Sequence, residues 1–165
     1  MQLSRTIKHL FYPGWWLRRD FPTSDLAKIE AAIQTSESRH SGEIRFAIES
    51  SLPLNALWND ELASERAIEV FSLLRVWDTE DNNGVLIYLL LADHKVEITA
   101  DRNINKVVKK VEWQHICSLM ENHFRVGRFG EGVIIGIEEI SVLLEKHFPS
   151  KNDDTNELPN EPIIL

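Results

Sequence analysis

The sequence predicts a single α/β domain, a small mixed β-sheet built from a βαβ unit and a β-hairpin and flanked by about four helices. Two stretches carry that prediction. Residues 84–91, Gly-Val-Leu-Ile-Tyr-Leu-Leu-Leu, form an unbroken apolar run opened by Asn82-Asn83, the pattern of a strand buried on both faces. After a polar break at Asp93-His94, Lys95-Val-Glu-Ile-Thr-Ala100 alternates apolar and polar, as a half-covered strand does. The short break makes the two strands a hairpin.

The remaining elements follow in order. Thr23-Ser24-Asp25 after Pro22 marks a helix start, and Leu26, Ile29 and Ile33 supply its apolar stripe. Gly42 precedes a strand with Ile44, Phe46 and Ile48 on one face, and Pro53 closes that region. A second helix is expected over about residues 56–75, where Ala63, Ala67, Val70, Phe71 and Leu74 fall at helical spacing. Strand, helix, strand implies a right-handed crossover, so the first two strands should be parallel and the third antiparallel at one side. Trp113, Ile116, Cys117, Met120 and Phe124 then make a stripe that stops near Gly127. A last helix runs from about Gly130 to His147, with Val133, Ile137, Ile140 and Leu144 inward and Pro149 beyond its end.

Composition divides the chain in three. Residues 1–22 carry a net +3 from Arg5, Lys8, Arg18 and Arg19 against Asp20, and are dense in aromatics. Residues 23–149 are the domain. Residues 150–165 carry a net −3, two prolines and little core-forming material, and read as a disordered acidic tail. The overall charge of −8 excludes a basic nucleic-acid footprint. The single cysteine, Cys117, excludes an internal disulfide and suits a reducing compartment. No segment reaches the roughly 20 apolar residues of a membrane span, and Arg5, Lys8 and His9 occupy the place of a signal-peptide core. A cytoplasmic protein, peripheral to the inner membrane if residues 1–22 meet lipid, is the corresponding expectation. Trp15, Trp16 and Phe21 either insert at such an interface or fold back onto the domain.

Folding the hairpin about Asp93-His94 returns Asp101, Arg102 and Asn103 to Asp81, Asn82 and Asn83. Carboxylates, amides and a guanidinium thus meet at one rim. Asp78, Asp81 and Asp101 are the candidate ligands for calcium or magnesium, since hard divalent ions take several oxygen ligands. Arg102 and Asn83 are candidates for holding a phosphate group while bound metal activates water. The competing reading is turn chemistry, with Asp101 merely capping the next helix. His115 and His123, with Glu112 nearby, lack the convergent third ligand and motif that zinc needs. Cys117 lies on an apolar stripe and reads as core. Gly127, Gly130, Gly132 and Gly136 form no phosphate loop, having no strand before them.

"NNGVLIYLLLADHKVEITADRNIN", then "W..IC..ME..FR.GRF..G" and a closing "HFP", resembles the TPM-domain family over residues 24–149. The resemblance implies a compact α/β domain, with weak phosphatase activity and divalent-cation binding attached to some members. Many relatives carry glycines and a glutamate where this chain has Asp101, Asn103 and Asn105, which removes one potential ligand. It also implies a partner, since bacterial members often accompany a LemA-type protein. Three functions follow: a non-catalytic module binding a protein near the membrane, a weak metal-dependent phosphatase, and a cation-binding regulatory domain. The first leads, because no nucleophile, base and oxyanion arrangement can be read from the chain.

Overall fold

The structure is a computed structural model that describes residues 3–12, 14–150 and 155–165. Its four-stranded sheet sets side by side Lys95–Ala100 (β3), Gly84–Leu90 (β2), Glu43–Glu49 (β1) and Ile163–Ile164 (β4). β1 (Glu43–Glu49) and β2 (Gly84–Leu90) run parallel, and β3 (Lys95–Ala100) returns antiparallel to β2. The hairpin tip is a 3-10 turn, Leu91–Asp93, closed by His94 in the left-handed conformation at φ 52°.

Eight α-helices lie among the described residues. Four match the predicted stripes: α3 (Thr23–Glu37), α5 (Ala63–Leu73), α7 (Lys110–Arg125) and α8 (Phe129–His147). The others are short: α1 (Leu3–Leu10), α2 (Gly14–Asp20), α4 (Leu54–Trp58) and α6 (Arg102–Asn105). The helix expected over 56–75 is therefore two helices. Asp60, at φ 53°, breaks it in a conformation a helix interior does not allow.

The layers follow from strand alternation. Ile44, Phe46, Ile48, Val85, Ile87 and Leu89 point into the larger core with α3, α7 and α8. Residues of opposite parity, Ala47, Leu86, Tyr88 and Leu90, face a smaller core with α4 and α5. Phe21 completes an aromatic cluster in the larger core, its ring 5.9 Å from Phe46 and 5.8 Å from Phe129.

β1 departs most from a simple pattern, because its second face is charged yet buried. Glu43, Arg45 and Glu49 are each about 5% exposed or less. Glu49 accepts both Arg66 Nε and Nη2 at 2.9 Å and the Tyr88 hydroxyl at 2.6 Å. Burial, then the Glu49 hydrogen bond, holds the Tyr88 phenol far above its usual range. A fork of this geometry keeps the carboxylate satisfied in a dry layer.

The described residues on both sides of the domain fold onto it. Leu17 and Phe21 join the larger core, so fold-back holds for that part of the N-terminal segment, while Phe11 and Trp15 stay exposed. The expected disordered tail differs more. Residues 151–154, with Lys151, Asp153 and Asp154, lie outside the described residues, but 155–165 return along β1 and Ile163–Ile164 form β4, parallel to it. Leu158 is the buried anchor. Composition could not show this, because the contacts are made mainly by the tail's backbone.

Candidate functional site

The predicted rim is assembled where β2 begins and β3 ends. Asp101 N–H donates to Gly84 O at 2.8 Å, and Asn103 N–H to Asn82 O at 3.2 Å. The Asn103 side-chain amide reaches the Asp81 carbonyl. Asn82 turns the chain at φ 50°, a conformation Asn tolerates better than most residues. Asp81 and Asp101 therefore sit on adjoining segments although twenty positions separate them in sequence.

The five predicted site residues divide. Asp101 caps α6, its Oδ1 accepting Arg102 N–H at 2.6 Å, while its buried Oδ2 has no hydrogen-bond donor. Asn83 is likewise buried: its side-chain amide donates to Ser41 O and its N–H donates to Thr79 Oγ1 at 3.1 Å, leaving its Oδ1 without a donor. Arg102 is exposed beside Asp101. Asp78 does not join them. Its carboxylate is taken by Arg75 at 2.8 Å, an i,i+3 pair on the surface. No group of three or more His, Cys, Asp or Glu side chains able to hold a metal ion occurs among the described residues. A cation here would be held by Asp101 and Asn83 oxygens, completed by carbonyls and water, a donor set suited to a hard ion.

The other sequence candidates have structural roles. His115 is exposed, and His123 lies 4.0 Å from Glu131. Burial pushes the Cys117 thiol up to about 12, which removes it as a nucleophile at neutral pH. Gly136 permits close helix contact, since a Cβ there would stand 2.4 Å from Met120 Sδ.

At the opposite end of the sheet, α1 is clamped to the hairpin tip. Arg5 Nε donates to Asp93 Oδ2 at 2.9 Å, and Arg5 Nη1 to Glu61 O at 2.8 Å. His9 Nδ1 accepts Leu52 N–H at 3.0 Å, which leaves its proton on Nε2, 3.0 Å from Asp93 Oδ1. Burial raises the Asp93 carboxyl, but hydrogen bonds from His9 and Arg5 outweigh it and hold the group at about 2. Asp93 is thus both a turn residue and the clamp for α1, a role no local pattern announced.

Another acid, Glu37, lies half-buried under the tail. Burial pushes Glu37 up to about 8, although hydrogen bonds from Ile44 N–H and Asn160 pull it down; Glu43 adds to the rise and Arg45 opposes it. A carboxyl whose folded pKa lies above its unfolded value contributes stability below about pH 4.5 and loses it as pH rises through about 8. Glu37→Gln should therefore gain on the wild type by about 2–4 kcal/mol between pH 4.5 and 9, measured by urea unfolding at both pH values. A constant difference would show that Glu37 titrates normally.

A family model for the TPM domain matches residues 21–143. Among solved structures, the chain is similar to BA42 protein from the psychrophilic bacterium Bizionia argentinensis. The identity is 33%, with a TM-score of 0.78 over 88% of this chain and 95% of that one. It is also similar in fold to the N-terminal domain of a protein from P. gingivalis, at 19% identity and a TM-score of 0.58, over 74% of this chain and 76% of that one. No curated protein matches the chain.

Proposed function

Because the chain belongs to the TPM domain family, we propose that it is a non-catalytic module that binds a divalent cation, calcium or magnesium, at the rim formed by Asp81, Asn83 and Asp101. One observation carries this reading: Asp101 Oδ2 and Asn83 Oδ1 are both buried and both lack a donor. A buried acceptor left unpaired costs about 1–3 kcal/mol, and more when charged. Two such oxygens are part of the set of roughly six to eight that a hard cation takes, the rest coming from Asp81, backbone carbonyls and water. Turn chemistry accounts for Asp101 Oδ1 and for Asn103, but not for these two atoms.

In the test, calcium or magnesium at a hundredfold excess over Kd stabilises the fold by about 2.7 kcal/mol, roughly 5–10 °C in Tm for a domain of this size. Asp81→Asn combined with Asp101→Asn should abolish the rise. Asn is as good an N-cap as Asp, so α6 survives and the loss reports on coordination. A wild-type Tm indifferent to millimolar cation would return the rim to turn chemistry.

A partner-binding role has its own support at the other end of the sheet. α1 is tied to the segments that flank α4, Arg5 donating to Glu61 O and His9 accepting Leu52 N–H, and Ile7, Leu10, Phe11, Leu54 and Trp58 are exposed in these stretches. Lys8 and Arg18 are exposed in the same N-terminal segment, and apolar side chains accompanied by basic ones suit a protein partner of LemA type beside anionic lipid.

A further inference from the structure

The edge of β1 is occupied by residues 155–165 in an unusual manner. The carboxylate of Glu43 accepts two consecutive backbone N–H groups, those of Glu157 at 3.2 Å and Leu158 at 3.1 Å. The Arg45 guanidinium donates to two backbone carbonyls, Pro159 O and, at 3.2 Å, Glu161 O. Ile163 and Ile164 then pair with Ala47 and Ile48, and Leu165 N–H donates to Ile48 O at 2.9 Å. Among the described tail residues, Leu158 is the one whose side chain is buried. Outside it, Glu157 accepts Glu80 N–H at 3.0 Å, and Asn160 meets Glu37.

We propose that this edge is a peptide-binding groove occupied by the chain's own C-terminal segment, and that it accepts an extended acidic segment with a leucine anchor from another protein when the tail is displaced. Most of the contacts read the main chain, and main-chain contacts are indifferent to which polypeptide supplies them. The Leu158 pocket and the Glu80 N–H add selectivity for an acidic residue followed by leucine.

The floor of the groove argues for reversible rather than permanent cover. A face that is always covered is served as well or better by apolar residues than by buried charges. Glu43 and Arg45 instead give a floor whose charges hydrate readily when uncovered. β4 is only two residues long, so the ladder itself holds the tail weakly.

The test uses the full chain and a fluorescent peptide of residues 155–165. Leu158→Ser in the chain weakens the resident tail, so that variant should bind the peptide at least tenfold more tightly than the wild type does. The same substitution in the peptide should weaken its binding at least tenfold. Amide exchange should speed up at Ile163–Leu165 in the variant while β2 and β3 remain protected, showing a folded domain with an open groove. The proposal fails if the variant gains no affinity, or if exchange accelerates across the whole sheet. It also fails if the variant only swaps tails with a second copy, seen as a dimer that added peptide does not dissociate. None of these readouts involves a cation, so the outcome is separate from that of the rim.

Discussion

Gly84→Ala is expected to abolish folding, or at least to cost more than about 4 kcal/mol, well beyond ordinary overpacking. A Cβ built there would stand 2.0 Å from Val76 O and 3.0 Å from Val76 C. Both are backbone atoms, so no rotamer change relieves the clash. The strand or the loop after α5 must move instead, and Val76 is itself fully buried. Gly84 O also receives Asp101 N–H, so displacement would take the rim with it. Chemical denaturation measures the loss, and Gly14→Ala is the control. A Cβ at Gly14 meets nothing within 4 Å, so that variant should be neutral or gain about 0.4–1 kcal/mol. Equal stability of the two variants would contradict the packing at Val76.

Trp113→Ala should destabilise the domain by about 3–5 kcal/mol, the usual cost of deleting a large aromatic from a core. Trp113 is 6% exposed and lies in the larger core with Ile116, Met120 and Phe124. Its indole N–H is buried without an acceptor. Trp113→Phe should therefore recover much of the loss, because it restores ring volume without restoring a polar atom. Urea midpoints for the three proteins decide the matter; an alanine variant within 1 kcal/mol of the wild type would mean that the ring contributes little packing.

These two sites mark how far the sequence could be read. Trp113 was legible because a helical stripe repeats every three or four residues, and α3, α7 and α8 follow the same rule. The parallel β1–β2 pair and the hairpin were legible from a long apolar run and a two-residue polar break. Folding that hairpin brings Asp81, Asn83 and Asp101 to one end of the sheet. Asp78 fell away because Arg75, three residues back, captures it, a competition invisible to a count of carboxylates.

What the pattern could not show were contacts made by groups of the wrong apparent type. Glu43, Arg45 and Glu49 alternate with Ile44, Phe46 and Ile48 along β1, yet each is buried because a backbone segment or a side-chain fork satisfies its charge. Asp93 read as a turn, but Arg5 converges on it from 88 positions away. The tail lacked apolar periodicity because its attachment depends on N–H and C=O groups, which every residue carries.

That attachment also bears on how the chain acquires its structure. Arg45 meets the carbonyl of Pro159 across 114 positions, so the outer edge of β1 stays unpaired until residues 155–165 have been synthesised. Contacts so distant in sequence close late and slow the overall rate. During that interval β1 is an open strand edge, the kind of surface on which nascent chains associate. Its alternating glutamates and arginine, Glu43, Arg45 and Glu49, then act as gatekeepers: charges that disfavour edge-to-edge pairing between unfinished copies while leaving the edge ready for the segment still to come.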